Sequence, residues 1–465
     1  MGRLAAWAAT LRAYLDNAAT TPVRPEAARA MQATWGEDAA GRLAGAFANP
    51  SAVYAWGLAA AAAVDGAREA VARAWAVAAR DVVFTSGATE ANHLAIVGLC
   101  RARARVGRHL LTSPLEHDSV RRACAALRAE GWEIAELPVS AEGLLGPEEV
   151  AAAVRPDTVL CTFAHVNNEL GVVQPVRAIA AALRRAGAAL GARVALHVDG
   201  VQALGKVPVP YGLWGVDLAS ASAHKVGGPK GVGALLVRGV RIVPPVGGEQ
   251  EGGLRPGTEN VPGIVGFGAA VRLACGLPGR GGARSGGDAA EGGAAARGAG
   301  DAGDGWTGRA AGGGEGPEGP PPDAARLRGL KLRLVAGLRA ALPALVVNGP
   351  DPAMEAAAPH IVNLGFDRVT RLPAEVILHA LEAEGIACSA GSACSARRPE
   401  PSHVLLALGV SPARQRGSLR FSLGWANTPE EVDWAVARIP AALAAADAGW
   451  AVDTGPRAAG PRMRG

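Results

Sequence analysis

Short apolar runs alternate with longer helical stretches along the first half of the chain. Five of these runs have the length and composition of buried strands, at residues 81–85, 109–113, 158–166, 193–199 and 231–238. The stretches between them are rich in alanine and leucine, as helices often are. Strands that are apolar throughout are typical of a parallel sheet covered by helices on both faces. The alternation therefore predicts an α/β domain of βαβ units around a mostly parallel central sheet.

A second, smaller α/β unit is predicted toward the end of the chain. An amphipathic helix pattern at 323–342 is followed by a strand at 360–366, a helix at 372–385, and strands at 386–389 and 417–424. We assign residues 25–265 to the large domain, and residues 1–24, 266–275 and 323–447 to the smaller one.

The segment at 276–322 differs from both units, because nearly half of its residues are Gly or Pro. Such a segment cannot bury enough apolar surface to offset the entropy lost on ordering. We predict a disordered insertion there and a flexible tail at 448–465, with a binding role for the insertion as the alternative.

Composition excludes several classes of function. The net charge of +5 comes from scattered arginines rather than a basic block, so no nucleic-acid role is predicted. Six cysteines without a CxxC pair predict no disulfide framework, no metal site and a reducing compartment, either the cytoplasm or an organelle interior such as the mitochondrial matrix. No apolar run is long enough to span a membrane. The N-terminus lacks a secretory signal, and is either the remnant of a transit sequence or an ordinary first helix.

Ligands of open parallel sheets bind at the carboxyl ends of the strands, so the residues just past each predicted strand are candidates for a site. The first strand is followed by SGATEANHLAI, a glycine turn that leads into a helix. Free N–H groups and the helix dipole at such a turn suit a phosphate, to which Thr89 adds a hydroxyl. The alternative is an ordinary helix start capped by Ser86 or Thr89.

His117 and Asn168 follow the second and third strands. A histidine at this edge can stack on a planar ligand or move protons, although a capping or buried histidine is the simpler interpretation. Asn168 can hydrogen-bond a ligand, although asparagines in loops usually stabilise turns.

The fourth strand ends at Asp199, with Gln202 three residues later. A partly buried aspartate needs a partner, which is either a protonated ring nitrogen or a structural arginine. Farther along, Ser222 and His224 precede Lys225. A lysine in a cleft of low dielectric loses proton affinity and becomes a nucleophilic amine, whereas the alternative is a surface lysine.

The order of these features is more specific than any one of them. An anion cradle, a ring-stacking group, an acid for a ring nitrogen and a lysine for an aldehyde are together what pyridoxal 5'-phosphate (PLP) requires.

With these stretches in this order, the chain resembles the cysteine desulfurases of the class V aminotransferase group. The matching stretches include YLDNAATTPVRPE, FTSGATEANHLAI, HVNNELGVVQPV, HVDGVQALGK, SASAHKVGGPKGVGAL, RPGTENVPGIVGFG and GIACSAGSACSA. The resemblance covers most of the chain outside the insertion and the two ends. It implies the PLP-dependent transferase fold type I, with a large PLP domain and a smaller α/β domain.

The resemblance also implies a role for each candidate residue. Lys225 would form the Schiff base, Asp199 would pair with the ring nitrogen, and His117 would stack on the ring and move thiol protons. Gln202 and Asn168 would contact the ring hydroxyl region, with Asn168 also near the substrate. The phosphate would be held by Ala88, Thr89, Ser222 and His224, and by Thr258 of a neighbouring subunit, which implies a homodimer with shared sites. Arg420 would bind the substrate carboxylate.

Cys394 matches the family's persulfide-forming cysteine, within the subgroup that has a long cysteine loop. The implied reaction converts L-cysteine to L-alanine and passes sulfur to an acceptor, such as a scaffold for iron–sulfur cluster assembly. Small neighbours such as Gly391 would let this loop flex. Cys388, after an apolar pair, is predicted to be a small core residue. Two positions depart from the family pattern, where Tyr54 replaces a common histidine and Ala390 a serine.

Two other functions remain open from sequence. One is a different PLP reaction on the same scaffold, such as that of a selenocysteine lyase or an aminotransferase. The other is a protein of low activity that serves as an interaction platform through its insertion.

Overall fold

The computed structural model describes residues 11–36, 45–278, 319–391 and 402–453, with side chains as far as residue 448. Most of the predicted insertion and tail lies outside these residues, as does Cys394. The two described ends of the insertion lie together, since a Cβ built on Gly276 would be 2.8 Å from Pro322 Cγ.

The elements alternate between strands and helices as far as the insertion. The strands are β1 (Ala13–Tyr14), β2 (Val82–Thr85), β3 (His109–Thr112), β4 (Glu133–Glu136), β5 (Thr158–Ala164), β6 (Ala195–Asp199), β7 (Leu218–Ser222), β8 (Gly233–Val237), β9 (Val346–Asn348), β10 (Ile361–Gly365), β11 (Ile386–Ala387) and β12 (Ser418–Ser422). The helices are α1 (Pro25–Gln32), α2 (Ala55–Trp75), α3 (Ala88–Arg103), α4 (Asp118–Ala129), α5 (Pro147–Ala152), α6 (Val176–Ala189), α7 (Tyr211–Trp214), α8 (Val261–Ala274), α9 (Ala324–Ala341), α10 (Ala374–Ala383), α11 (His403–Ala407), α12 (Pro412–Arg416) and α13 (Pro429–Asp453).

The central sheet has seven strands in the order β2-β8-β7-β6-β5-β3-β4. Strand β8 runs antiparallel to both of its neighbours, β2 and β7, and the other pairs are parallel. The mostly parallel sheet predicted from the apolar runs is therefore confirmed.

Two strands of this sheet, β4 and β7, have no counterpart among the predicted strands. Strand β7 has the sequence LASAS, and it is buried along its whole length although it contains no run of large apolar residues. Small side chains suffice there because helices pack closely on both faces. Strand β4 lies at the edge of the sheet and exposes the glutamates at both of its ends, so it lacks the pattern of a buried strand.

Helices cover both faces of the central sheet. On one face α3 and α4 pack over strand residues such as Val83 and Leu110. On the other face α2, α6 and α8 form a core around Trp75 and Phe267. This packing corrects one predicted boundary, because residues 266–275, assigned to the smaller domain, lie mainly in α8. The apolar residues of α8 need the surface of α2, so the helix joins the large core.

The smaller unit has an antiparallel sheet in the order β12-β10-β9, and a separate parallel pair of β1 with β11. Its core contains apolar residues from α9, α10 and α13 and from the N-terminal residues Ala13 and Leu15. Residues 13–15 are therefore part of this unit. Among the residues described here, no helix is both long and apolar enough to cross a membrane.

Candidate active site

A cavity of about 660 Å³ opens at the carboxyl ends of the central strands. Most of the residues singled out in the sequence line it, namely Ala88, Thr89, His117, Asn168, Asp199, Gln202, Ser222, His224, Lys225 and Arg420. Thr258 does not line this cavity, and it is exposed in the single chain. The topology therefore gathers side chains that are up to 332 positions apart, from Ala88 to Arg420, at one edge of the sheet.

One end of the cavity is suited to an anion. The first turn of α3 lines it with Ala88 and Thr89, and the first N–H groups of a helix have no acceptor within the helix. Ser222 and Lys230 line the same cavity. Burial, followed by the charges of Lys225 and Lys230, lowers the pKa of His224 to about 4, so this ring is neutral at neutral pH.

Glu90 in the same turn is an acid near this anion end. Burial acts to raise its pKa, but hydrogen bonds from Ser86 and Arg255 outweigh it and leave the pKa below the ordinary value. The N–H of Ser86 donates to Glu90 Oε2, and Arg255 Nε donates to Oε1 at 3.2 Å. Glu90 is thus engaged by a backbone N–H and by an arginine.

Lys225 follows β7 in a short 3₁₀ turn, Ala223–Lys225. Its Nζ donates to the carbonyl oxygens of Ala18 and Ala19, each at 2.6 Å. Beneath it, Lys206 Nζ donates to the Lys225 carbonyl oxygen at 2.9 Å, which holds the backbone of this lysine. Burial lowers the pKa of Lys206 to about 8.

Asp199 ends β6 and has a side chain that is almost fully buried. Two amide groups donate to its carboxylate, the N–H of Val201 at 3.0 Å and Asn92 Nδ2 at 2.8 Å. Among the described residues no arginine forms an ion pair with Asp199, so the structural ion pair considered from sequence is not seen there. The carboxylate faces the cavity, where a protonated ring nitrogen would be its partner.

His117 both caps α4 and lines the cavity, so the two interpretations of this residue hold together. Its Nδ1 accepts from the N–H of Ser119 at 3.1 Å and lies 2.9 Å from Ser119 Oγ. Because Nδ1 is an acceptor, the neutral ring carries its proton on Nε2.

Arg420 lies in the middle of β12 with a side chain that is 1% exposed. Its Nη2 donates to Asp16 Oδ1 at 2.7 Å, and its Nη1 donates to the Asn168 carbonyl oxygen at 3.0 Å. Its Nε is buried and has no partner among the described residues. A buried guanidinium with an unused donor beside a cavity is suited to a carboxylate ligand.

The structure also reveals contributors that the sequence reasoning missed. Residues 16–21 run across the site: Asp16 holds Arg420, the Ala18 carbonyl accepts from Gln202 Nε2 at 2.9 Å, and Thr20 Oγ1 lies 3.1 Å from His224 Nδ1. Their signal was present, since YLDNAATTP is one of the matching stretches, but no role was attached to it. Asn92 is the second omission, although it lies three positions after Thr89 and hence on the same face of α3.

Of the two cysteines near the end of the chain, the structure describes Cys388. It packs against the core of the smaller unit, as predicted, and burial raises the pKa of its thiol. Cys394 lies outside the described residues. Tyr54 and Ala390, the two departures from the family pattern, are both exposed and do not line the cavity.

Comparison with known proteins gives the same family as the motifs. The model of the family "Aminotransferase class-V" matches residues 13–277 and 324–434. A cysteine desulfurase IscS from Anaeromyxobacter dehalogenans is 38% identical over 427 residues, which is 91% of this chain and 90% of the relative. A second cysteine desulfurase IscS, from Methanosarcina thermophila, is 37% identical over 92% of this chain and 91% of its own length.

Two solved structures have the same fold. A NifS-like protein is 28% identical, with a TM-score of 0.75, over 93% of this chain and all of its own. The structure of SspA in complex with cysteine is 31% identical, with a TM-score of 0.66, over 88% of this chain and 98% of its own.

Proposed function

Because the chain belongs to the class V aminotransferase family, we propose that it is a PLP-dependent cysteine desulfurase. It converts L-cysteine to L-alanine and passes the sulfur to an acceptor. The observation that carries this proposal is the single cavity that brings Lys225, Asp199 and His117 together with Arg420. A further cavity-lining residue, Asn168, contributes its backbone carbonyl to Arg420.

The residues of the cavity fit PLP. The N-terminus of α3 and Ser222 suit its phosphate, and the Asp199 carboxylate suits a protonated ring nitrogen. Lys225 lines the same cavity and would bind the aldehyde of PLP. When bound, PLP supplies an electron sink for the bonds at the substrate Cα.

The protein groups have separate tasks in the reaction. Arg420 binds the substrate carboxylate, and Lys225 Nζ moves the proton at Cα. His117 carries its proton on Nε2 and can exchange it with a thiol. The Cys394 thiolate then attacks the substrate sulfur. As the new S–S bond forms, the C–S bond breaks, its electron pair stays with carbon, and a proton completes alanine.

The proposal is tested by measuring alanine and sulfide released from L-cysteine in the presence of a thiol reductant. We expect turnover by the PLP-loaded protein, a loss of at least a hundredfold in Cys394→Ala, and nearly full activity in the matched control Cys388→Ala. Equal activity of the two cysteine variants would refute the role of Cys394. Lys225→Ala is expected to lose the visible absorbance of bound PLP, and absorbance that persists would contradict the cofactor assignment. Selenocysteine, assayed in parallel, tests the lyase alternative.

We also propose a homodimer. Between Phe47 and Leu58 the single chain exposes several large side chains, with Val53 89% exposed and Trp56 47% exposed. An apolar surface of this kind marks an interaction site. The exposed Thr258 would then reach a partner's phosphate site. Sedimentation equilibrium should give twice the chain mass, and Thr258→Val should weaken PLP binding. A monomer with full PLP affinity would refute the proposal.

Two further proposals concern the protein that accepts the sulfur and the cellular compartment in which the enzyme works. The relatives are named cysteine desulfurases, and the resemblance in the motifs implies an acceptor such as a scaffold for iron–sulfur cluster assembly. We propose a reducing compartment because the six cysteines of the sequence include no CxxC pair and no disulfide framework. Transfer of ³⁵S from Cys394 to a candidate scaffold protein would test the first proposal, and cell fractionation the second.

A further inference from the structure

A connected group of hydrogen bonds lies in the wall of the candidate active site, where Asn92, Ser119, Asp199 and His117 all line the cavity. Its centre is Asn92, whose side chain is completely buried in α3. The group reaches Asp199 on β6, Ser220 on β7, and Ser119 with His117 at the start of α4. Four separate elements therefore meet at one amide side chain.

The chemistry of the neighbours determines the orientation of the Asn92 amide. A carboxylate only accepts hydrogen bonds, so the nitrogen must face Asp199, to which Nδ2 donates at 2.8 Å. The second hydrogen of Nδ2 goes to Ser119 Oγ at 2.9 Å. The Oδ1 atom then accepts from the hydroxyl of Ser220. Both hydrogens of Nδ2 and the Oδ1 atom of this amide therefore have hydrogen-bond partners, and these partners allow only one orientation of the amide.

Through Ser119, the orientation of the Asn92 amide also determines which nitrogen of His117 carries the ring proton. Because Ser119 Oγ accepts from Asn92, its own hydrogen is available for His117 Nδ1, 2.9 Å away. The backbone N–H of Ser119 donates to the same Nδ1. Both contacts make Nδ1 an acceptor and leave the ring proton on Nε2.

We propose that Asn92 is a positioning residue that orients Asp199 and His117 as one unit, an inference that rests on the proposed PLP function. The Asn92 amide holds the carboxylate that faces the ring nitrogen of the cofactor, and through Ser119 it supports the histidine that would stack on the ring. Thr89, three positions earlier on the same face of α3, lines the anion end of the cavity. One face of α3 therefore positions residues at both the phosphate end and the ring end of the cavity.

A positioning role differs from a merely structural one in how substitutions combine. If Asn92 acts through Asp199, removal of the Asn92 amide weakens PLP binding in the wild type but has little further effect once Asp199 is replaced. If Asn92 only stabilises the fold, the two effects add. A hydrogen bond to a charged group contributes about 1.5–3 kcal/mol, which corresponds to an effect of about tenfold or more.

The test is a double-substitution cycle on PLP affinity, measured by titrating the cofactor-free full-length protein. We expect Asn92→Ala to weaken PLP binding about tenfold or more, and to alter the visible absorbance of the bound cofactor. In the Asp199→Asn background the further weakening should fall below about threefold. The matched control is Asn348→Ala. That asparagine is also buried, and its Nδ2 donates to Asn363 and Ser418 in the smaller unit.

Several outcomes overturn the proposal. Equal weakening by Asn92→Ala in both backgrounds, or equal weakening by Asn348→Ala, shows that only stability was lost. The isosteric Asn92→Asp keeps the volume of the side chain if Asn92→Ala does not fold, and full PLP affinity in that variant also overturns the proposal.

A readout without cofactor separates this inference from the proposed function. In a crystal structure of cofactor-free Asn92→Ala, the Asp199 carboxylate is expected to leave its wild-type rotamer. An unchanged Asp199 and His117 in that structure overturn the inference, even if the enzyme proves to be a desulfurase. Conversely, a wild-type protein that shows no Lys225-dependent absorbance contradicts the proposed function while the rotamer of Asp199 still tests the role of Asn92.

Discussion

Replacement of Arg420 by methionine should remove the enzyme's preference for substrates that carry a carboxylate. The guanidinium is buried, and its Nε has no partner among the described residues. Nη1 and Nη2 each donate one hydrogen, to Asn168 and Asp16, so each keeps a second hydrogen for a ligand. Two charge-assisted hydrogen bonds to a carboxylate contribute about 1.5–3 kcal/mol each. Because Asp16 partly neutralises the guanidinium, we take the lower end, about 3 kcal/mol, which is a factor of about 100.

The assay compares kcat/KM for L-cysteine with that for cysteamine, which lacks the carboxylate. The wild type should favour cysteine about 100-fold, and Arg420→Met should reduce this ratio nearly to one by losing turnover of cysteine. The control Arg333→Met removes an arginine from an exposed pair with Asp433, and should leave the ratio unchanged. Asp16 is partly exposed, so water can solvate its carboxylate once Arg420 is removed. A thermal melt checks that Arg420→Met is folded. An unchanged ratio in a folded Arg420→Met would refute the assignment of Arg420.

Three further predictions concern stability and the insertion. Burial lowers the pKa of His197 to about 3, so the folded state resists protonation. The contribution of the neutral His197 ring to the free energy of unfolding is therefore complete above the unfolded pKa of about 6.5, and it is lost as the pH falls. From pH 7 to 5 the loss in the free energy of unfolding is about 2 kcal/mol. His197 Nδ1 lies 2.7 Å from Thr162 Oγ1, a hydrogen bond that His197→Asn can keep. Urea unfolding of this variant should not show the loss. Equal pH dependence of the two proteins would contradict the burial of a neutral ring. The pKa of Lys206, lowered to about 8 by burial, has a consequence of the same sign at higher pH: its contribution to stability rises as the pH increases from 8 toward 10.5, and Lys206→Met should lose that rise. The same variant should also weaken PLP binding by releasing the Lys225 carbonyl, and unchanged PLP affinity would argue against this support. Finally, deletion of residues 279–318 should preserve desulfurase activity because the flanking ends already lie together. A strong loss of activity would instead support a role for the insertion.

The sequence predicted those parts of the fold and site that depend on local pattern. The apolar strands β2, β3, β5, β6 and β8 were visible because burial on both faces requires continuous hydrophobicity. The first four of these strands then predicted polar residues at their carboxyl ends, and the cavity contains them. Ser222, His224 and Lys225 instead lie at the end of β7 and just after it. Strand β7 was missed because its neighbours leave space only for small residues, whose pattern is not that of a strand.

Long-range partners could not be read from local pattern. Asp16 and Arg420 are 404 positions apart, and their ion pair depends on β1 and β12 reaching the same end of the smaller unit. The assignment of 266–275 failed for a related reason. The apolar face of α8 matches the core of either unit by composition, and its actual neighbour, α2, is distant in the chain.

The segment of residues 16–21 contacts both units, at Arg420 and at Lys225. Asp16 contacts Arg420 of the smaller unit, whereas the carbonyl oxygens of Ala18 and Ala19 accept from Lys225 Nζ on the large sheet. Carbonyl oxygens only accept, so Lys225 Nζ is the donor in both of these hydrogen bonds. The arginine proposed to bind the substrate carboxylate and the lysine proposed to react are thus held by one segment, partly through backbone groups whose role no side-chain motif can reveal.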